Sequence, residues 1–208
     1  LDEAPVYNAS HLLGFFSTFN ANAIKDVQLY KGSMPAQFGG RLASVLDIRM
    51  KDGNDRKLGV SGSVGTISTN LTVEGPIKKN KASFLIAARR TYADVFLKLY
   101  SDPGIRDNKL YFYDLNAKLN VDAGPKDKLF LSGYFGRDVV GLGSTLGIDW
   151  GNATGTARWN HIYSPRWFSN TSLIFSNYNY GVAFKTDAHD FSITSVVRDL
   201  NLTHELSF

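Results

Sequence analysis

The residues that could act as acids, bases, nucleophiles or ligands are few in this chain, and their spacing is poor for joint work. It contains four histidines, His11, His161, His189 and His204, and no cysteine. Without thiols there is no disulfide framework, no thiolate zinc site and no cysteine nucleophile. No two histidines stand at metal-ligand spacing, and none lies in a triad signature. His204 and Glu205 are chain neighbours, so on a strand they point to opposite faces and cannot converge on one ion. A hydrogen-bonded histidine is the expectation for each. Gly59-x-x-Gly62-x-x-Gly65 is spaced like a phosphate loop, but it lacks the Gly-Lys-Ser/Thr ending and opens no helix. Small residues on a strand passing close to other chain explain it better. Five Asn-x-Ser/Thr triplets begin at Asn8, Asn70, Asn152, Asn170 and Asn201. Four fall within predicted strands and read as polar strand faces, not glycosylation sites. The expectation is therefore no catalytic residue, no metal, no cofactor, and a protein that is not an enzyme.

Composition narrows the class further. Of 208 residues, 23 are Lys or Arg and 19 are Asp or Glu, for a net charge of +4. The basic residues are scattered rather than clustered, which argues against a nucleic-acid partner. A hydrophobic content of 43% excludes a disordered chain. No apolar run approaches ~18 residues, so no transmembrane helix is predicted, but a membrane-crossing strand needs only ~9–11 alternating residues. The first residue is Leu1, with no signal segment behind it. The expectation is a processed start or a piece of a longer chain.

The elements that would position these residues are strands. Before residue 51 the chain is Gly- and Pro-punctuated, with a short turn capped by Asn20, a strand at Asp26–Tyr30, a Gly-rich loop and a strand at Ala43–Met50. Residues 52–57 are polar and turn-rich and read as a linker. From residue 58 onward, period-2 patterns recur. In the clearest, Tyr111, Tyr113, Leu115, Ala117, Leu119 and Val121 face one way. Phe112, Asp114, Asn116, Lys118, Asn120 and Asp122 face the other. Ala82, Phe84, Ile86 and Ala88 share a face, with Leu85 as the exception. Ala153, Gly155, Ala157, Trp159 and Tyr163 oppose Asn152, Thr154, Thr156, Arg158 and Asn160; Leu200, Leu202 and Leu206 oppose Asp199, Asn201, Thr203 and Glu205. Phe168–Phe184 yields no clear face assignment. Tight links (76–80, 125–128, 164–167) alternate with longer ones (91–108, 138–149, 185–190), as in a meander with one short-turn rim and one long-loop rim. Aromatics, among them Tyr92, Tyr100, Trp150, Tyr163, Trp167 and Tyr180, lie near strand ends, where a membrane–water boundary favours amphipathic rings.

Four stretches carry a resemblance. They are Leu1-Asp-Glu-Ala-Pro-Val-Tyr-Asn8, His11-Leu-Leu-Gly-Phe-Phe-Ser-Thr-Phe-Asn20, Ala23-Ile-Lys-Asp-Val-Gln-Leu-Tyr-Lys-Gly32 and Pro35-Ala-Gln-Phe-Gly-Gly-Arg-Leu-Ala-Ser-Val-Leu-Asp-Ile48. Together they resemble the second half of the plug domain of TonB-dependent outer-membrane receptors of the Bacteroidota type. Residues 58–208 look like the start of that family's barrel. The resemblance implies a mainly β fold: a partial transmembrane antiparallel barrel, about eight strands of the ~22 that such a transporter carries, with a small α/β plug segment in its lumen. Residues 1–51 would be the C-terminal half of the plug, 52–57 the linker and 58–208 the N-terminal part of the barrel.

The resemblance also implies a function, which is import of a scarce nutrient across the bacterial outer membrane through a plug-gated barrel. The partners would be the TonB energy-transducing complex, contacted through a segment absent here, and outer-membrane lipid and lipopolysaccharide. Other outer-membrane proteins or a surface lipoprotein are further candidates. The other reading is a receptor-like barrel serving as a structural or accessory subunit of an outer-membrane assembly, without transport. Lys31, Gly39, Gly40 and Arg41 are the implied plug–barrel contacts. Tyr92, Phe96 and Tyr100, on the loop at 91–108, are the candidate contacts for a ligand or partner at the outer mouth. Independently of the resemblance, Asp114, Lys118, Arg158 and Asp199 on the polar faces suit a wet or filled lumen, and an open sheet in lipid would leave costly bare edges.

Overall fold

In a computed structural model, which describes residues 1–32, 35, 38, 44–185 and 189–208, the chain is mainly β, with 67% of residues in strands. The alternation beyond residue 58 becomes one antiparallel eight-stranded sheet in simple meander order. Its strands are β5 (Gly59–Val64), β6 (Ser68–Lys78), β7 (Ala82–Thr91), β8 (Lys109–Asp122), β9 (Asp127–Leu142), β10 (Leu146–Ser164), β11 (Trp167–Lys185) and β12 (Asp190–Ser207). The sheet is not closed, and β5 and β12 are its two edges. No helix among the described residues is long and apolar enough to cross a membrane.

The first 50 residues form smaller units. β1 (Ser10–His11) pairs with β2 (Phe16–Ser17) around a 3-10 turn at Leu12–Gly14, and β3 (Ile24–Lys31) pairs with β4 (Ser44–Met50). The small α/β segment expected there contains no α-helix among its described residues. The Asn20 side chain and carbonyl accept from Asn22 and Ala23 to close a single turn, and the chain passes directly into β3 at Ile24. Among the described residues the α-helices are α1 (Ala93–Leu97) and α2 (Pro103–Arg106), both in the long β7–β8 connection.

The long link expected at 138–149 is instead a turn at 143–145, flanked by continuous strand. Gly141 and Gly147, which read as loop residues, pair with each other across the β9–β10 ladder, and only Gly143 takes a positive φ, of 56°. The expected alternation of short and long links therefore fails at this position, and the sheet extends where a loop was expected.

The two faces of the large sheet differ in kind. On the face covered by the described part of the N-terminal segment, Asp114, Asn116, Lys118, Asp138, Asn152, Thr154, Thr156, Ser172 and Ser176 are buried. On the opposite face, Leu115, Leu131, Phe135, Leu173, Leu200 and Leu202 are exposed. Ladder register joins the exposed residues into continuous rows, one running Leu119–Leu131–Ala157–Leu173–Leu202 across five strands. The usual arrangement, apolar within and polar without, is reversed. Leu85, the exception in the β7 pattern, belongs to the covered face. With Ala87 it packs against Ala23 and Met50 of the N-terminal segment.

Candidate functional site

The N-terminal segment lies across the polar face and bonds to every strand from β6 to β12. Two charged clusters and a line of polar contacts carry this junction.

The first cluster centres on His11. The short β1–β2 hairpin turns tightly enough to place Leu12, Leu13 and Gly14 at positive φ, and the Asn8 side chain accepts from the Ser10 amide at its start. Two consecutive leucines in this region cost about 1–3 kcal/mol each. Asp138 of β9 stabilises the bend with both carboxylate oxygens. One accepts from the Leu12 amide at 2.7 Å and the other lies 2.6 Å from His11 Nδ1. On the other side of the ring, His11 Nε2 stands 3.5 Å from Asp114 Oδ2 and 3.3 Å from the Tyr134 hydroxyl. Asp114 is itself paired with Arg89 at 2.6 Å, and Arg89 also donates to the Ser17 carbonyl. The imidazole stacks flat on Phe112, with centroids 4.1 Å apart. Gly136 makes room for this packing, because a Cβ there would collide with the Tyr134 ring and come within 3.2 Å of His11 Cε1.

The electrostatics favour a charged ring. Burial disfavours the imidazolium, but hydrogen bonds and charge from Asp114 and Asp138 outweigh it and raise the His11 pKa above its ordinary value. An Asp–His–Tyr arrangement can serve acid–base chemistry when a substrate reaches it. Here His11, Asp138 and Tyr134 are each no more than 3% exposed. The cluster joins two parts of the chain and offers no reacting surface.

The second cluster sits where the segment meets the linker. Lys118 of β8 is buried and reaches Asp2 at 3.1 Å, Asp52 at 3.2 Å and the Met50 carbonyl at 3.0 Å. Asp2 also accepts from the Met50 amide through its side chain and from Thr156 through its carbonyl. The Asp52 carbonyl accepts from Ser83 and Asn120, and its carboxylate pairs with Lys25. Burial would raise the Asp52 pKa, but the Lys25 hydrogen bond and the Lys118 charge hold it below the ordinary carboxylate value. Gly53 follows with a φ of +77°, and a Cβ there would strike the Phe84 carbonyl. Only glycine lets the linker pass this close to β7.

Between and beyond the clusters, Glu3 pairs with Arg158 at 2.9 Å, and Arg158 lies over the Phe130 ring. Ser176 donates to the Pro5 carbonyl, while Asn152 accepts from the Tyr7 amide and donates to the Asn8 carbonyl. The Tyr7 hydroxyl donates to Asp199 on β12. All four charged residues singled out on the polar strand faces, Asp114, Lys118, Arg158 and Asp199, thus bind the N-terminal segment.

Of the residues that the resemblance implied as contacts, Lys31, Tyr92, Phe96 and Tyr100 are described. Lys31 ends β3 with an exposed side chain and is not among the described residues that bind the sheet. Gly39, Gly40 and Arg41 lie outside the described residues. Tyr92 is tied back to the β5–β6 turn, its hydroxyl donating to the Gly65 carbonyl and its amide to the Ile67 carbonyl. Phe96 and Tyr100 are exposed on and after α1. Sequence reasoning missed His11 and Asp2 as contacts, because their partners lie more than 100 residues away. The available signal was the strand parity that turns Asp114 and Lys118 toward the covered face.

No known family model, curated protein or solved structure matches the chain.

Proposed function

We propose that this chain is part of a TonB-dependent outer-membrane receptor, with residues 58–208 as consecutive wall strands of a lipid-embedded barrel and residues 1–51 as half of a plug within its lumen. The receptor imports a scarce nutrient by moving the plug, without bond chemistry. The observation that carries the reading is the reversed polarity of the sheet: an apolar face left bare and a polar face roofed by a separate segment. Lipid satisfies the first, and a filled lumen explains the second.

Two further features support it. On β9, the outward residues Leu129, Leu131, Gly133 and Phe135 are bounded by Asp127, which bonds Trp159 and His161, and by the Arg137–Asp149 pair. That interval fits the ~9–11 residues a tilted strand needs to cross hydrocarbon. The bare edges of β5 and β12 call for more strands, because unpaired backbone in lipid costs several kcal/mol per group.

The test is fractionation of the full-length protein together with growth of a deletion strain on limiting iron, cobalamin or glycans. The proposal expects an outer-membrane protein and a growth defect on at least one nutrient. A water-soluble protein overturns it. Outer-membrane location with unimpaired growth on all three overturns transport and leaves an accessory role in an envelope assembly.

A further inference from the structure

We propose that the His11 cluster is a proton-operated latch: imidazolium clamped between Asp138 and Asp114 holds the N-terminal segment on the sheet, and loss of its proton releases the hold. For its consequence, opening of the lumen, the proposal rests on the receptor reading; the latch itself follows from the geometry of the junction.

The groups that face His11 are Asp138 and Tyr134 on β9, Asp114 on β8 and Arg89 on β7. Tyr178 on β11 lies within electrostatic reach of Asp138. With His11 charged, two cations meet two carboxylates, and both ring nitrogens have acceptors, Nδ1 to Asp138 and Nε2 toward Asp114. After deprotonation Nδ1 still donates to Asp138, but Nε2 becomes a lone pair facing the Asp114 carboxylate. Only Tyr134 can then donate to it, and the buried cluster carries one uncompensated negative charge, held by Arg89 alone. An unbalanced charge of this kind is costly in a site closed to water. The least disruptive relief is for β1 and its turn to lift, which rehydrates both carboxylates. The ring is 2% exposed, so proton exchange itself requires some lifting.

The sign follows from the direction of the shift. Because the docked state holds the proton more tightly than free histidine, the latch is fully engaged below the ordinary histidine value and weakens as pH rises through the docked one. The other charged contacts, Glu3–Arg158 and Asp2–Lys118, do not involve His11. Release is therefore confined to the β1–β2 hairpin, with the linker end still held.

The experiment is hydrogen exchange of the full-length protein in lipid vesicles from pH 5 to 10, read as protection factors for residues 8–18, with membrane insertion checked on the same samples. Protection should fall by up to about tenfold per pH unit above the His11 midpoint, the limit for one linked proton. It should become pH-independent in His11→Gln and keep its pH dependence in Tyr134→Phe. Flat protection in the wild type, or an unchanged profile in His11→Gln, overturns the latch. A sample that fails to insert overturns the receptor reading instead. If His11→Gln does not fold, NMR titration of the wild-type ring decides: a midpoint above that of free histidine supports the latch, and one at or below it overturns it.

Discussion

Replacing Leu173 with arginine separates a lipid-facing sheet from a water-facing one. Leu173 projects from β11 on the bare face, flanked in register by Ala157 of β10 and Leu202 of β12, and is 49% exposed. It lies one row inward from Trp159–Thr171–His204 and two rows from the row holding Asn177 and Arg198, close to the middle of the apolar band. Truncation to alanine removes contacts worth about 1 kcal/mol, since half of the side chain is already uncovered. That loss is the same whatever lies outside. Arginine adds a term that depends on the surroundings: about 2–4 kcal/mol near a bilayer midplane, against about 0.5 kcal/mol of either sign in water. Denaturant unfolding of full-length Leu173→Arg and Leu173→Ala from lipid vesicles measures the difference. The proposal expects arginine to be less stable than alanine by more than about 2 kcal/mol. Equal stabilities within about 0.5 kcal/mol would refute the membrane assignment of this face.

Two other predictions concern the junction with the linker. Lys118→Met leaves Asp2 without its buried cation, and breaking such a pair costs about 3–5 kcal/mol. Hydrogen-exchange protection at residues 1–4 and 48–53 should fall accordingly, and adding Asp2→Asn should restore part of it. The depressed pKa of Asp52 means that its contribution is present above the unfolded carboxylate value of 3.8 and is lost as pH falls through the lower folded value. Acid titration of linker protection should show a transition below that value, absent in Asp52→Asn.

The sequence was most legible where polar and apolar residues alternate without interruption. β8, β10 and β12 have the faces their patterns predict, because most inward positions within those patterns hold a side chain that wants a hydrogen bond; Phe112, which stacks on His11, is the exception on β8. β11 resisted assignment for a specific reason. Its inward face mixes Ser172 and Ser176 with Ile174, and its outer face carries Asn177 and Asn179 beyond Phe175, so neither face has one polarity. Leu85 broke the β7 pattern because it meets Ala23 and Met50, a contact no local window contains. Glycines at 141, 143 and 147 signal a loop locally, yet two of them serve in a ladder that only tertiary pairing reveals. The junction was half legible. Parity turned Asp114 and Lys118 toward the covered face, but nothing across a separation of 127 positions says that Asp138 meets His11.

The character of this junction bears on how a segment can be both secure and movable. An apolar interface is lost as a whole, at about 25 cal/mol for each Å² uncovered, with no compensation from water. The apolar part of this junction is small, centred on Ala23, Met50, Leu85 and Ala87. Most of the junction is hydrogen bonds and ion pairs to polar strand faces; a neutral hydrogen bond is worth only about 0.5–1.5 kcal/mol net and one to a charged group about 1.5–3 kcal/mol, because water can replace either partner. Such contacts specify position closely, since every donor must meet its acceptor, yet they yield one at a time once water enters. The two charged clusters stand at opposite ends of this series, His11 under the β1–β2 turn and Lys118 beside the linker. A segment held in this way resists displacement while dry and gives way progressively when one end is hydrated. A plug that must open without unfolding the wall around it needs that behaviour, and a hydrophobic plug of the same size would lack it.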